Sequence, residues 1–185
     1  MPTSTNPARY VIRHACPADV VEIRAMQERS MGVLGGNFYS ASEITGFMRE
    51  FGTMDDAIVD EGHFFVAEDD HGAIIGSGGW TRLRPSYANG LDDGAPTAGY
   101  PTVRSVFVDP AAVRRGVGTA VMHRAERDAA TNGHDTLHLT ATLSGLALYQ
   151  SLGYRTQEVT SLRLPDRVRF ACVKMEKRLT ELAVV

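Results

Sequence analysis

The run Val106-Phe-Val-Asp-Pro-Ala-Ala-Val-Arg-Arg-Gly-Val-Gly-Thr119 constrains this chain more than any other. A strand-like stretch, Thr102 to Val108, delivers the backbone to a break at Asp109-Pro110. A helical pattern starts near Arg115, with Val117, Val121, Ala125 and Ala129 at intervals of four, and ends at Asn132-Gly133. At the join, Gly116 and Gly118 let backbone approach a ligand without a Cβ in the way. First-turn amides of a helix have no intrahelical acceptor, and the helix dipole adds partial positive charge there. Arg114 and Arg115 add fixed charge at the same point. Together these predict a diphosphate site; the plainer alternative is a tight strand-to-helix connection. A P-loop would need Gly-Lys-Ser/Thr, and no Lys is present here. A Rossmann fingerprint would need a small residue where Val121 stands, and it would open its domain, whereas this turn is mid-chain.

The chain has 185 residues, 43% apolar and 22% charged, which suits one globular domain with a core. A formal charge of −3 with scattered Lys and Arg leaves no electrostatic footprint for nucleic acid or a membrane. No apolar stretch is long enough to span a bilayer. Met1 to Ala8 is polar and reads as a loose tail, and Cys16 and Cys172 read as free thiols of a cytoplasmic protein. The expected domain covers residues 9–177, with a C-terminal tail at 178–185.

Periodicity supplies the remaining elements. Arg9 to Ala15 reads as a strand, and Pro17 opens a helix that fades at Gly32, Gly35 and Gly36. Ser40 and Glu43 form a capping box before Ile44, Phe47, Met48 and Phe51. His63 to Glu68 and Ala73 to Trp80 form a hairpin around Asp69 to Gly72, and Thr81 to Pro101 is a long loop. After the central strand and helix come a strand at Thr136 to Ala141, a helix at Leu143 to Leu152 closed by Gly153, and two strands around Pro165-Asp166. The order β-α-α-β-β-β-α-β-α-β-β predicts an α/β (mixed α+β) fold with one sheet flanked by helices.

The glycine turn resembles motif A of the GNAT superfamily of acyl-CoA-dependent N-acyltransferases, Gln/Arg-x-x-Gly-x-Gly/Ala after a strand, with Val113 departing at the first position. Leu146-Ala-Leu-Tyr-Gln-Ser-Leu-Gly-Tyr154 resembles motif B in Ala147, Tyr149, Gly153 and Tyr154, and Thr142 stands where many members have Asn. The resemblance runs from about Arg9 to Lys177. It implies a mixed, mostly antiparallel sheet of about seven strands with about four helices. It further implies acetyl-CoA as cosubstrate and no metal. The backbone of Val106, Phe107 and Val108 would take pantetheine, and the amides of Arg114, Arg115, Gly116, Val117, Gly118 and Thr119 the pyrophosphate. Ser144 would either bond the cofactor or cap its helix.

The implied reaction is transfer of an acetyl group to a primary amine of a small molecule or peptide, with Tyr149 as general acid toward the leaving sulfur. The alternative on the same fold is a catalytically idle acetyl-CoA-binding regulator. No base is evident. The family's Glu near Thr102 is absent, Glu22 and Glu28 read as a solvated helix face, Glu43 as a cap and Asp109 as a turn residue. On the acceptor side the resemblance points to Phe38-Tyr39 and to the stretch from Trp80 to Pro101, and Trp80 reads equally as a pocket wall or as a core or sheet-covering aromatic. Arg104, a charge in a buried-looking strand, calls for a substrate carboxylate or an internal acid. His134 and His138 make no metal pattern. The terminal run Leu179 to Val185 reads either as a segment that covers a neighbour, as in a homodimer, or as one that simply frays.

Overall fold

The computed structural model describes residues 9–91 and 99–179. The N-terminal tail, the middle of the long loop and residues 180–185, on which the homodimer expectation rests, lie outside the described residues. Among the described residues, seven strands form one sheet in the order β1-β2-β3-β4-β5-β7-β6. In sequence these are β1 Tyr10–His14, β2 Phe64–Asp69, β3 Ile74–Thr81, β4 Thr102–Val108, β5 Thr136–Thr142, β6 Arg155–Arg163 and β7 Arg169–Arg178. Every pairing is antiparallel except β4 with β5.

The helices are α1 Val20–Leu34, α2 Ala41–Glu50, α3 Ala57–Asp60, α4 Val117–Thr131 and α5 Leu146–Ser151. Both sheet faces are covered, which explains why β2 and β3 are nearly continuous buried runs. Val103, Leu137 and Leu139 pack with Phe65 against Met122, Ala125 and Ala129 of α4. On the other face Phe64, Val66 and Ile74 meet Ile23 and Met26 of α1. Phe47 of α2 meets Phe170 and Cys172 of β7.

The Ser40–Glu43 capping box forms as read, the serine hydroxyl accepting from the Glu43 amide at 3.3 Å. Two local readings change. Pro17 opens a short 3-10 turn, Pro17–Asp19, and α1 begins only at Val20. Gly32 does not end α1, which continues to Leu34. Four-residue α3 is too short to show a period in sequence. β7 runs to Arg178, and Leu179 donates its amide to the Asp135 carbonyl while packing on the core. Among the described residues, no helix is long and apolar enough to cross a membrane.

Candidate active site

The site begins with a fault in the sheet. Ser77 pairs with Phe107 and Gly79 with Arg104, so Ser105 and Val106 together face Gly78. That extra residue is a β-bulge, which bends its strand and ends regular pairing nearby. Ser105 takes φ +52, a left-handed conformation that costs a non-glycine residue about 1–2 kcal/mol. Three hydrogen bonds hold it. The Ser77 hydroxyl donates to the Ser105 carbonyl at 3.0 Å, and the Ser105 hydroxyl donates to the Thr53 carbonyl at 2.8 Å. Fully buried Gln27 donates from Nε2 to Ser77 Oγ at 3.0 Å, behind the bulge.

Beyond the bulge, β4 leaves β5. Their register holds at one pair, Thr102 with His138, and the strands diverge from there. The gap opens a cavity of about 200 Å³ lined by Val103 to Val108, by Thr140 and Thr142 of β5, and by Leu148 and Tyr149 of α5. Val106, Phe107 and Val108 therefore border the cavity along the side of β4 that has no strand partner.

The glycine turn closes one end. Asp109 is a turn residue as read. Its Oδ1 accepts from the Ala111 amide at 2.9 Å, and its Oδ2 takes Arg29 at 2.8 Å. Arg114 and Gly116 adopt φ +64 and +76, the left-handed region, on either side of Arg115, and successive amides in such turns can line an anion-binding concavity. Gly116 caps α4, whose first intrahelical bond runs from the Ala120 amide to the Gly116 carbonyl at 2.9 Å. The amides of Val117, Gly118 and Thr119 are left as outward donors. Arg114 and Arg115 are exposed. Gly116 meets the backbone demand made in sequence, whereas Gly118 has a packing role. A Cβ there would lie 3.1 Å from Leu148 and 3.3 Å from Val108, both cavity residues, which sets the turn against the cavity wall.

Tyr149 lines the cavity with its ring edge-on to Tyr154 at 5.8 Å, and among the described residues nothing hydrogen-bonds its hydroxyl. Burial pushes the phenol well above the ordinary tyrosine value, with Tyr87 adding to the shift. It therefore keeps its proton across the neutral range. Ser144 also lines the cavity, but it does not cap α5, which starts at Leu146 with Gly145 as its N-cap. Its hydroxyl lies 3.0 Å from that of Thr142.

The two acceptor-side aromatics, Tyr39 and Trp80, are both buried. Tyr39 lies in the core, stacked on Phe170 at 3.9 Å, and its hydroxyl donates to the Ala171 carbonyl and accepts from the Leu143 amide, both at 2.7 Å. Burial raises its pKa as well, and its two hydrogen bonds make it a strut between β7 and the turn that follows β5. Trp80 is 3% exposed on the α4 face, stacked on His63, with Nε1 donating to Asp128 Oδ2 at 2.8 Å. Arg104 does line the cavity, and its internal acid is Asp55, joined to Nη2 at 2.5 Å.

Sequence reading missed Asp55, Tyr87, Ser77 and Gln27. A buried arginine announced an acid, but nothing in the sequence separated Asp55 from the other 21 acidic residues, out of 22 in all. Glu22 is tied down structurally, accepting the Ile74 amide at 2.9 Å, and Glu43 serves its cap.

The family model for the acetyltransferase (GNAT) domain matches residues 60–156. Among solved structures, a GCN5-related N-acetyltransferase from Rhodopseudomonas palustris aligns over 91% of this chain and 95% of its own, with TM-score 0.68 and 18% identity. PaiA N-acetyltransferase of Thermoplasma acidophilum, solved with coenzyme A, aligns over 92% and 99%, with TM-score 0.66 and 15% identity. YncA of Salmonella typhimurium, solved with its cofactor acetyl-CoA, aligns over 96% and 98%, with TM-score 0.63 and 20% identity. No curated protein matches the sequence. At these identities the structural matches speak for the fold.

Proposed function

The chain belongs to the GNAT acetyltransferase family, and on that premise we propose that it moves an acetyl group from acetyl-CoA to a primary amine of a small molecule or peptide. One observation carries this reading: a parted β4–β5 edge runs from a bulge to a helix N-terminus, beside a tyrosine hydroxyl that has no hydrogen-bond partner among the described residues. The edge suits a pantetheine arm, which adds to backbone as a strand does. The amides of residues 114–119, with Arg114 and Arg115, suit a pyrophosphate. Ser144, beside Thr142, is the polar group offered to the rest of the cofactor. The cradle fits the ligand: the glycine turn presents unspent N–H groups where negative charge would lie.

Acetyl-CoA supplies an activated acyl carbon, and the chain's residues do the rest. The cavity walls align amine and thioester. The Ser105–Val106 bulge borders the cavity, and a backbone amide there is suited to meet a carbonyl oxygen gaining charge. The amine nitrogen, attacking as the free base, bonds to the acyl carbon and loses a proton to solvent as the carbon–sulfur bond breaks. Tyr149 gives its proton to the departing sulfur and is restored from solvent. The products are the N-acetylated amine and the free thiol.

Calorimetry and a thioester assay test this reading in sequence. Acetyl-CoA is expected to bind, and an amine panel is expected to include acceptors that consume it. Binding with no turnover on any amine would identify an idle acetyl-CoA-binding domain instead. Arg114→Ala should weaken acetyl-CoA binding about tenfold, the scale of one charged phosphate contact. Arg155→Ala, on exposed β6, should leave it unchanged.

The bulge makes its own prediction. Ser77→Ala cuts the link between Gln27 and the Ser105 carbonyl and leaves buried Gln27 Nε2 without its oxygen partner. The expected result is about 1–3 kcal/mol lost in urea unfolding, and a kcat reduced about tenfold with the KM for acetyl-CoA held. Ser77→Thr, which restores the hydroxyl, should recover part of the kcat. Equal losses for both substitutions would mean that volume matters at this position, not the hydrogen bond.

A further inference from the structure

Arg104 has more hydrogen-bonding capacity than the fold uses. It is 6% exposed, and its Nη2 bonds Asp55 at 2.5 Å. Its guanidinium carbon sits 5.1 Å from the centre of the Tyr87 ring. Nη1 is buried and has no hydrogen-bond partner among the described residues. A buried donor left unmade is costly, so such an atom points to a partner outside the chain. The residue lines the same cavity as Tyr149 and the Ser105 bulge.

Charge narrows the partner. A guanidinium presents a planar fork of donors, and a second planar anion is the acceptor that an unspent Nη1 best suits. Arg104 and Asp55 already cancel. A simple carboxylate on Nη1 would leave one uncompensated negative charge beside Asp55 in a largely buried place. A carboxylate that carries its own ammonium removes that conflict, because the ammonium can face Asp55. The Asp55 side chain is 31% exposed and also lines the cavity, so it remains within reach of a ligand.

We propose that the acceptor is an amino-carboxylate, an amino acid or close analogue, held by its carboxylate on Arg104 Nη1 and by its ammonium group on Asp55. This rests on the acetyltransferase reading above and gives its acceptor a class. The pair works as a binding head, and the nitrogen attacks only after shedding its proton.

Matched acceptors test the proposal on the unmodified full chain. Amino acids and their carboxamides are compared by acetyl-CoA thioester consumption, since each carboxamide keeps the amine and loses the charge. The acids are expected to exceed their carboxamides by about 100-fold in kcat/KM, the scale for unpairing a buried charged group. Arg104→Gln should raise the KM for amino acids by about as much, keep the KM for acetyl-CoA, and erase the preference over carboxamides. If that variant loses its cooperative melt, Asp55→Asn gives a second measure, with an expected rise of about tenfold in KM for amino acids alone. Carboxamides or simple alkylamines turning over as well as the acids would overturn the acceptor class and leave the acetyltransferase reading standing. Acetyl-CoA binding with no consumption in either series would overturn both.

Discussion

Tyr149→Phe is expected to lower kcat by about 100-fold or more, the usual worth of a positioned proton donor, while leaving acetyl-CoA affinity and stability nearly unchanged. The stability half follows from structure. The substitution removes one oxygen, that oxygen holds no hydrogen bond among the described residues, and the ring keeps its contact with Tyr154. The melting temperature should therefore stay within about 2 °C. The kinetic half rests on the leaving sulfur, which departs more readily when a donor meets its developing charge.

The direction of the pKa shift fixes the pH profile. An acid with a raised pKa works in its protonated form and fails only as pH climbs through that raised value. The ordinary tyrosine value is already about 10, so no falling limb from Tyr149 is expected below that pH. In the parent enzyme kcat/KM should only rise with pH, as the amine loses its proton. A falling limb near pH 8 that persists in Tyr149→Phe would assign the acid to another group. Full turnover by the variant would remove Tyr149 from the mechanism.

The two motifs were legible because they are local. Gly116 is dictated by a left-handed turn of one residue, and the pattern around it by a strand and a helix within a dozen positions. The Ser40 capping box was readable for the same reason. The acceptor side was not local. Arg104 and Asp55 are 49 residues apart, and Tyr39 meets Ala171 across 132. An aromatic next to a glycine pair can serve a pocket or a core equally well in sequence. For Trp80, Asp128 on α4 decides it, since a buried indole N–H needs an acceptor and finds one there.

The divergence of β4 from β5 was the most consequential feature that sequence concealed. Thr102 to Val108 reads as an unbroken strand, yet Ser105 takes positive φ within it. No propensity marks a serine for that role. Ser77 on β3, Gln27 on α1 and Thr53 in the connection after α2 impose it, and all three contacts are long-range. The visible trace in the sequence is the pair Gly78-Gly79 on β3, opposite the bulge, which gains meaning only once the register is known.

That pair carries the largest expected effect on the fold. Gly79→Ala should cost about 3 kcal/mol and lower the melting temperature by about 10 °C. A Cβ at Gly79 would lie 2.2 Å from the His63 carbonyl oxygen and 2.7 Å from Phe64 Cα. Both are backbone atoms of the paired chain, so no rotamer change relieves the clash. β2 and β3 would have to part, and helices covering both sheet faces oppose that. Gly32→Ala supplies the opposite sign. Gly32 is exposed within α1 and a Cβ there meets nothing within 4 Å, so the substitution should stabilise by up to about 1 kcal/mol through helix propensity. Urea titration of the two variants with equal m-values would measure both. If Gly79→Ala proved neutral, the close β2–β3 approach would be wrong, and with it the register that sets Ser105 and Val106 against Gly78 at the mouth of the cavity.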